Sequence, residues 1–205
     1  MKTIFYDVDT QKDFMNKTGK LYVNGAEYIK PNLAALTQYA KNKNIQIIAS
    51  TDAHDEHSAE LQVNGGPFPY HAMKGTEGQK KIPETALDNA LLIPNEKIIG
   101  IGDKVKNAIA IIIEKDTYDS RTNPNFDKVI FATGATKAIV YGVATDYCVR
   151  AVGLALCALG LETIIVKDAI AAVAPDTEKK ALEELTSAGV QYTTTKEVLE
   201  GKHGI

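Results

Sequence analysis

Short runs of β-branched and apolar residues alternate with helical stretches along the whole chain, and this alternation constrains the fold more than any other feature. "TIFYDV" (3–8), "IQIIAS" (45–50), "AIIIE" (110–114), "KAIVYGV" (137–143), "ETIIVKD" (162–168) and "VQYTTT" (190–195) read as strands. Several are apolar on both faces, as buried parallel strands are. Helices with readable ends lie between them. One carries Ile29, Leu33, Leu36 and Ala40 on a single face, with Pro31 expected near its first turn, where a missing N–H costs least. Another opens at "PDTEKK", with Pro175 presetting φ and Asp176 setting negative charge on the first turn, and stops at Gly189. Alternation of this kind predicts an α/β fold: a doubly wound, mainly parallel six-stranded sheet with helices on both faces, a Rossmann-like three-layer sandwich. The 205 residues fit one domain spanning 1–205, since domains commonly run to roughly 100–200 residues.

In such sheets chemistry gathers beyond the carboxyl ends of the strands. The first strand ends at Asp9, the second at Asp52 and His54, the third at Lys115 and the fourth at 144–148, which includes Cys148. Asp9 and Lys115 are expected at neighbouring strand ends. Cys148, in "GVATDYCVRAV", stands where the pattern turns helical. The following helix is apolar nearly all round, so a packing role is the plain alternative. A thiol in the first turn of a helix, however, feels the positive end of the dipole, and such thiols can have a lowered pKa. A nucleophilic thiol also needs a proton acceptor and a cation, and Asp9 and Lys115 supply both types. Cys157, nine residues on and roughly 13 Å away along the same helix, is beyond disulfide reach and is read as packing. Both cysteines are expected to be free thiols in a reducing compartment.

The segment 52–96 is too long for an ordinary turn, and it holds His54, His57 and His71, three of the four histidines. Loops of that size usually have a function or are disordered. A strand-end Asp52 beside clustered imidazoles is a donor set for Zn²⁺, Mn²⁺ or Fe²⁺, and few protein ligands would leave positions open for substrate. His203, in "GKHGI", reads as a solvated terminal residue. A net charge of -3 with no Lys/Arg block gives no electrostatic reason to expect nucleic acid or an anionic membrane as partner. The first apolar run is broken by Asp7 and Asp9, so neither a secretory leader nor a membrane span is expected, and a cytoplasmic setting is.

"VDTQKDF", "TDAHDEH", "FPYHAMKGTEG", "EKDTY" and "GVATDYCVRAV", in that order, resemble the nicotinamidase branch of the isochorismatase-like cysteine hydrolases over nearly the whole chain. The resemblance implies an Asp9-Lys115-Cys148 triad, a cis Val143-Ala144 peptide, and an oxyanion hole from the N–H groups of Ala144 and Cys148. It also implies Asp52, His54 and His71 as metal ligands, with His57 at a position that ligates in some members, and a divalent ion, Zn²⁺ ahead of Mn²⁺ or Fe²⁺. Phe14, Phe68 and Tyr147 match positions lining the substrate ring. The activity implied is hydrolysis of nicotinamide to nicotinate and ammonia, a step of NAD salvage, with a small amide as substrate and a homo-oligomer as the assembly. Two departures stand out. Phe68 in "FPYH" replaces a Trp common in relatives, and "SRTNPNF" follows Lys115 where a "Ser-Ala-Phe"-like run is usual. Arg121 at the pocket mouth would favour an acidic substrate such as a ureido or carbamoyl acid; a solvated loop Arg is the plain alternative. Two other readings stay open: a zinc hydrolase with a structural Cys148, and a non-enzymatic metal-binding module.

Overall fold

The computed structural model describes residues 2–204. Seven strands among them form one sheet: β1 Thr3–Val8, β2 Ile47–Asp52, β3 Leu91–Ile93, β4 Ala110–Lys115, β5 Lys137–Val143, β6 Glu162–Ala171 and β7 Gln191–Thr193. Their order is β3-β4-β2-β1-β5-β6-β7, and every neighbouring pair is parallel. The sequence predicts six strands. The seventh, β3, lies within the segment read as a loop: "LLI" is only three residues long and sits at the sheet edge, too short for a strand period to show.

Among the described residues seven α-helices cover the sheet: α1 Lys12–Met15, α2 Ala26–Asn42, α3 Gly102–Asn107, α4 Phe126–Thr133, α5 Arg150–Ala158, α6 Pro175–Ser187 and α7 Thr195–Leu199. The two-residue period of β1 sorts the core. Ile4, Tyr6 and Val8 pack with Val105, Phe126, Val129, Val152 and Leu185 of α3 to α6. Phe5 packs on the other face with Phe14, Leu33, Leu36 and Val198 of α1, α2 and α7. Burial of both faces explains why the strands read as apolar throughout. Helix α2 starts at Ala26 after Gly25 at φ 81, so Pro31 sits inside it and not near its first turn as expected. His203 also differs from expectation: its Nε2 lies 2.8 Å from Thr193 Oγ1, which ties the tail to β7. Both cysteines are free. No helix among the described residues is long and apolar enough to cross a membrane.

The strand order reverses between β1 and β5, and this switch point is where a doubly wound sheet opens a crevice at its carboxyl edge. Val8 is paired with Gly142 there. Gly142 has φ 121, and a Cβ on it would lie 2.1 Å from the Val8 carbonyl oxygen. Glycine at this position lets the two strand ends meet, and with them the segments that follow.

Candidate active site

Asp9 leaves β1 at φ 48, a left-handed conformation that aspartate adopts more readily than most residues. Lys115 ends β4 in register with Asp52, the last residue of β2. Asp9 and Lys115 are therefore not on neighbouring strands, as the sequence reading had them: β2 lies between, and only the length of a lysine spans the gap. Lys115 Nζ lies 2.8 Å from Asp9 Oδ2 and 3.7 Å from Cys148 Sγ, and it is also paired with Asp52 Oδ1. Asp9 and Lys115 are fully buried, and Cys148 is 8% exposed.

The Val143-Ala144 peptide is cis. Beyond it, Thr145–Val149 forms a π-helical turn that runs into α5. The Ala144 carbonyl accepts the N–H groups of Tyr147 and Val149 at 3.1 and 3.0 Å. Asp146 ties the turn to α6, accepting from the N–H groups of Val173 and Ala174 at 3.0 and 3.3 Å and from the Thr177 hydroxyl. Cys148 thus sits ahead of the α-helix, not in its first turn.

Its thiol is also not lowered: burial pushes it well above the ordinary range, the Asp9 and Asp52 charges add to this, and Lys115 opposes. Burial likewise raises Asp9 above the usual aspartate range, with Lys115 opposing and Asp52 adding. Burial works against charge on Lys115 as well, yet Asp52 and Asp9 hold its ammonium well above the usual lysine range. Asp52 lies well below the carboxylate range despite its burial, because of Lys115 and the two imidazoles. Lys115 is thus the cation shared by Asp9, Asp52 and the Cys148 sulfur.

Asp52, His54 and His71 are all buried, and each offers a donor atom within 4.8 Å of the others'. Asp52 Oδ2 lies 3.7 Å from the Nε2 atoms of both His54 and His71. His71 Nδ1 is 2.7 Å from the Pro69 carbonyl; a carbonyl only accepts, so Nδ1 carries the proton and Nε2 keeps its lone pair. Neither ring nitrogen of His54 has a hydrogen-bond partner among the described residues, a costly state for a buried imidazole that a divalent cation would relieve. One carboxylate and two imidazoles fit such an ion. His57 stands apart from this group: it is exposed, and its backbone N–H donates to Asp55 Oδ1.

One cavity joins these groups. Asp9, Asp52, His71, Ala144 and Cys148 line it, together with Phe14, Phe68 and Tyr147. The aromatic walls meet edge to face: Phe14–His71 at 5.6 Å, Phe68–His71 at 5.8 Å and Phe68–Tyr147 at 5.8 Å between ring centroids. Sequence reasoning missed Glu60, Tyr22 and Val173 in this lining. Glu60 carried the one usable signal, a further carboxylate in the histidine-rich loop. It is buried, its Oε1 accepts the Tyr118 N–H at 2.8 Å, and burial raises its carboxyl. Arg121 is not in the lining. Its Nε and Nη2 bind Asp127 at 3.0 and 2.7 Å on the surface.

Residues 4–197 match the Isochorismatase domain family. A nicotinamidase/pyrazinamidase of Mycobacterium tuberculosis is 27% identical over 201 residues, covering 90% of this chain and 94% of its own. A probable inactive nicotinamidase of Arabidopsis thaliana is 24% identical over 200 residues, covering 93% and 91%. Among solved structures, a pyrazinamidase of Pyrococcus horikoshii in complex with zinc gives a TM-score of 0.78 at 27% identity, over 95% of this chain and 99% of that one. With the family match running over almost all of its length, the chain belongs to the isochorismatase family of hydrolases.

Proposed function

We propose that this amidohydrolase is a nicotinamidase, releasing ammonia from nicotinamide through a Cys148 thioester. The observation that carries the reading is the contact of Lys115 with both Asp9 and Cys148, two residues that line an aromatic-walled cavity together with Asp52 and His71 of the Asp-His-His group. Names of relatives support the substrate class: the Mycobacterium tuberculosis protein is a nicotinamidase/pyrazinamidase. One relative is described as inactive, but the present chain keeps Asp9, Lys115 and Cys148 in contact.

Asp9 takes the thiol proton as Cys148 Sγ attacks the carboxamide carbon, and Lys115 steadies the negative charge shared by sulfur and carboxylate. The backbone N–H groups of Ala144 and Cys148 receive the oxyanion. Asp9 then passes its proton to the departing nitrogen; ammonia leaves and a thioester remains. Water, deprotonated by Asp9, attacks the thioester, and the sulfur leaves with that proton, restoring the thiol. Asp52, His54 and His71 would hold a divalent ion, Zn²⁺ first, whose contribution is to orient a ring nitrogen. Phe14, Phe68 and Tyr147 enclose the ring.

Three carboxylates, Asp9, Asp52 and Glu60, line the cavity, and the buried Lys115 is already paired with two of them. With Arg121 held by Asp127, the lining offers no arginine or lysine to grip a substrate carboxylate, so a neutral carboxamide fits better than a ureido acid. The test is ammonia release from nicotinamide and from a panel of ureido acids. Turnover of nicotinamide alone, lowered by more than about 10³-fold in Cys148→Ala, is the expected result. Ureido acids turned over with nicotinamide inert would overturn the substrate, and an active Cys148→Ala enzyme would overturn the mechanism.

A further inference from the structure

The "VDTQKDF" segment contributes Asp9 and Phe14 to the site, which leaves Gln11 and Asp13 unexplained although both are buried. Gln11 is fully buried and uses its whole side-chain amide on backbone. Its Nε2 donates to the Asp52 carbonyl at 2.8 Å, and its Oε1 accepts the Asp52 N–H at 2.7 Å. Both main-chain groups of one residue are thus held by one side chain, as a neighbouring strand would hold them. The same Nε2 also donates to the Gln79 carbonyl at 2.8 Å, bringing the return of the long loop to the end of β2. Asp13 acts two residues on. Its Oδ2 accepts the Ala72 N–H at 2.8 Å and its Oδ1 the Lys20 N–H at 3.1 Å. Ala72 follows His71 and has φ 43, a left-handed conformation that costs an alanine roughly 1–2 kcal/mol. Its carbonyl in turn accepts the His54 N–H at 3.2 Å.

We infer that Gln11 and Asp13 are positioning residues that set the geometry of the Asp52, His54 and His71 cation site, Gln11 by clamping the backbone of Asp52 and Asp13 by holding the turn after His71. The inference rests on that trio being a cation site. Neither side chain reaches a donor atom of the trio directly. Both act through backbone, fixing where the donors stand before an ion arrives. Outer partners of this kind are typically worth about 10–100-fold in metal affinity.

The test uses the full-length chain, stripped of metal and titrated with Zn²⁺ by competition and with Co²⁺ by visible absorption. Gln11→Met keeps the volume and loses the clamp; Asp13→Asn keeps the shape and replaces a carboxylate oxygen. Thr85→Val is the control: it removes the 2.6 Å Thr10–Thr85 contact that fastens the same loop without touching the backbone of Asp52 or Ala72. Zn²⁺ affinity lowered about 10–100-fold with an altered Co²⁺ spectrum in Gln11→Met, and both unchanged in Thr85→Val, is the expected result. Wild-type affinity and spectrum in a folded Gln11→Met, or an equal loss in Thr85→Val, would overturn it. Should Gln11→Met fail to fold, the same comparison on Asp13→Asn decides. A wild-type chain whose Co²⁺ band is absent, or survives His54→Ala, would overturn the cation site itself and the clamp with it.

Discussion

Lys115 is a lysine with no exposed surface, and a buried ammonium is tolerated only with well-placed counter-charges. It has two, Asp9 and Asp52. Burial raises Asp9, with the Asp52 charge adding to it, while Lys115 and the two imidazoles keep Asp52 low despite its burial. In the proposed mechanism the raised carboxyl, Asp9, is the base. The pH dependence follows with a definite sign. Asp9 must be unprotonated to take the thiol proton, so as pH falls through its raised pKa, the base is lost. kcat/KM for nicotinamide should therefore decline on the acid side at a pH above the ordinary aspartate range, with the limb absent from the residual activity of Asp9→Asn. A pH profile of both proteins checks this. A limb in the ordinary aspartate range would mean that some other group limits the reaction.

At the scale of the elements, the pairing of β1 with β5 brings Asp9 and the Cys148 turn together, and Gly142 controls that pairing. The atom that an added Cβ would meet at 2.1 Å is backbone, the Val8 carbonyl oxygen, and a carbonyl inside a parallel ladder has nowhere to go. Gly142→Ala should lower stability by about 1–3 kcal/mol or more, read from urea unfolding. Gly102→Ala, with open space around it, should stay within about 0.5 kcal/mol of wild type. Equal effects would show that close approach is not the reason for the glycine. Here the limits of the sequence are also visible. Strand ends at Asp9, Asp52 and Lys115 could be read because each closes a β-branched run, and Cys148 because it follows one closely. Strand order could not, because parallel pairing is non-local: nothing in the sequence shows that β2 lies between the strands ending near Asp9 and at Lys115. The π-helical turn at Thr145–Val149 was invisible for a similar reason: its register is set by the Ala144 carbonyl and by Asp146 reaching α6. Glu60, Gln11 and Asp13 escaped because their roles depend on what folds against them, not on spacing. The residues that the fold brings together at Lys115 and at Asp52 were legible because they sit inside recognisable stretches.

Across the whole molecule, a rigid sheet supports a long excursion that it holds at few points. Lys81 binds Asp7 at 2.7 Å and Thr10 at 2.7 Å, fixing the loop's return, and Gln11 pairs with Lys81. Between those anchors and β2, the stretch around 55–57 and 62–70 is largely exposed. It holds its shape through short internal bonds such as Gln62 N–H to the Phe68 carbonyl at 2.7 Å and Lys74 N–H to the His54 carbonyl at 2.9 Å. His54 and His71 stand at the two feet of this excursion, so a cation bound between them and Asp52 would close it. Binding to the native state alone adds about 2.7 kcal/mol when the free ion is at 100 times its Kd. The gain should be local, since only the loop and the end of β2 carry donors. Hydrogen exchange followed by mass spectrometry on Zn²⁺-loaded and chelated protein should show faster exchange in segment 54–74 after chelation. The amides of β1 and β5, buried and bonded within the sheet, should keep their protection. Loosening spread evenly over the sheet would make the ion a brace for the entire fold, and no loosening anywhere would mean that the loop closes without it.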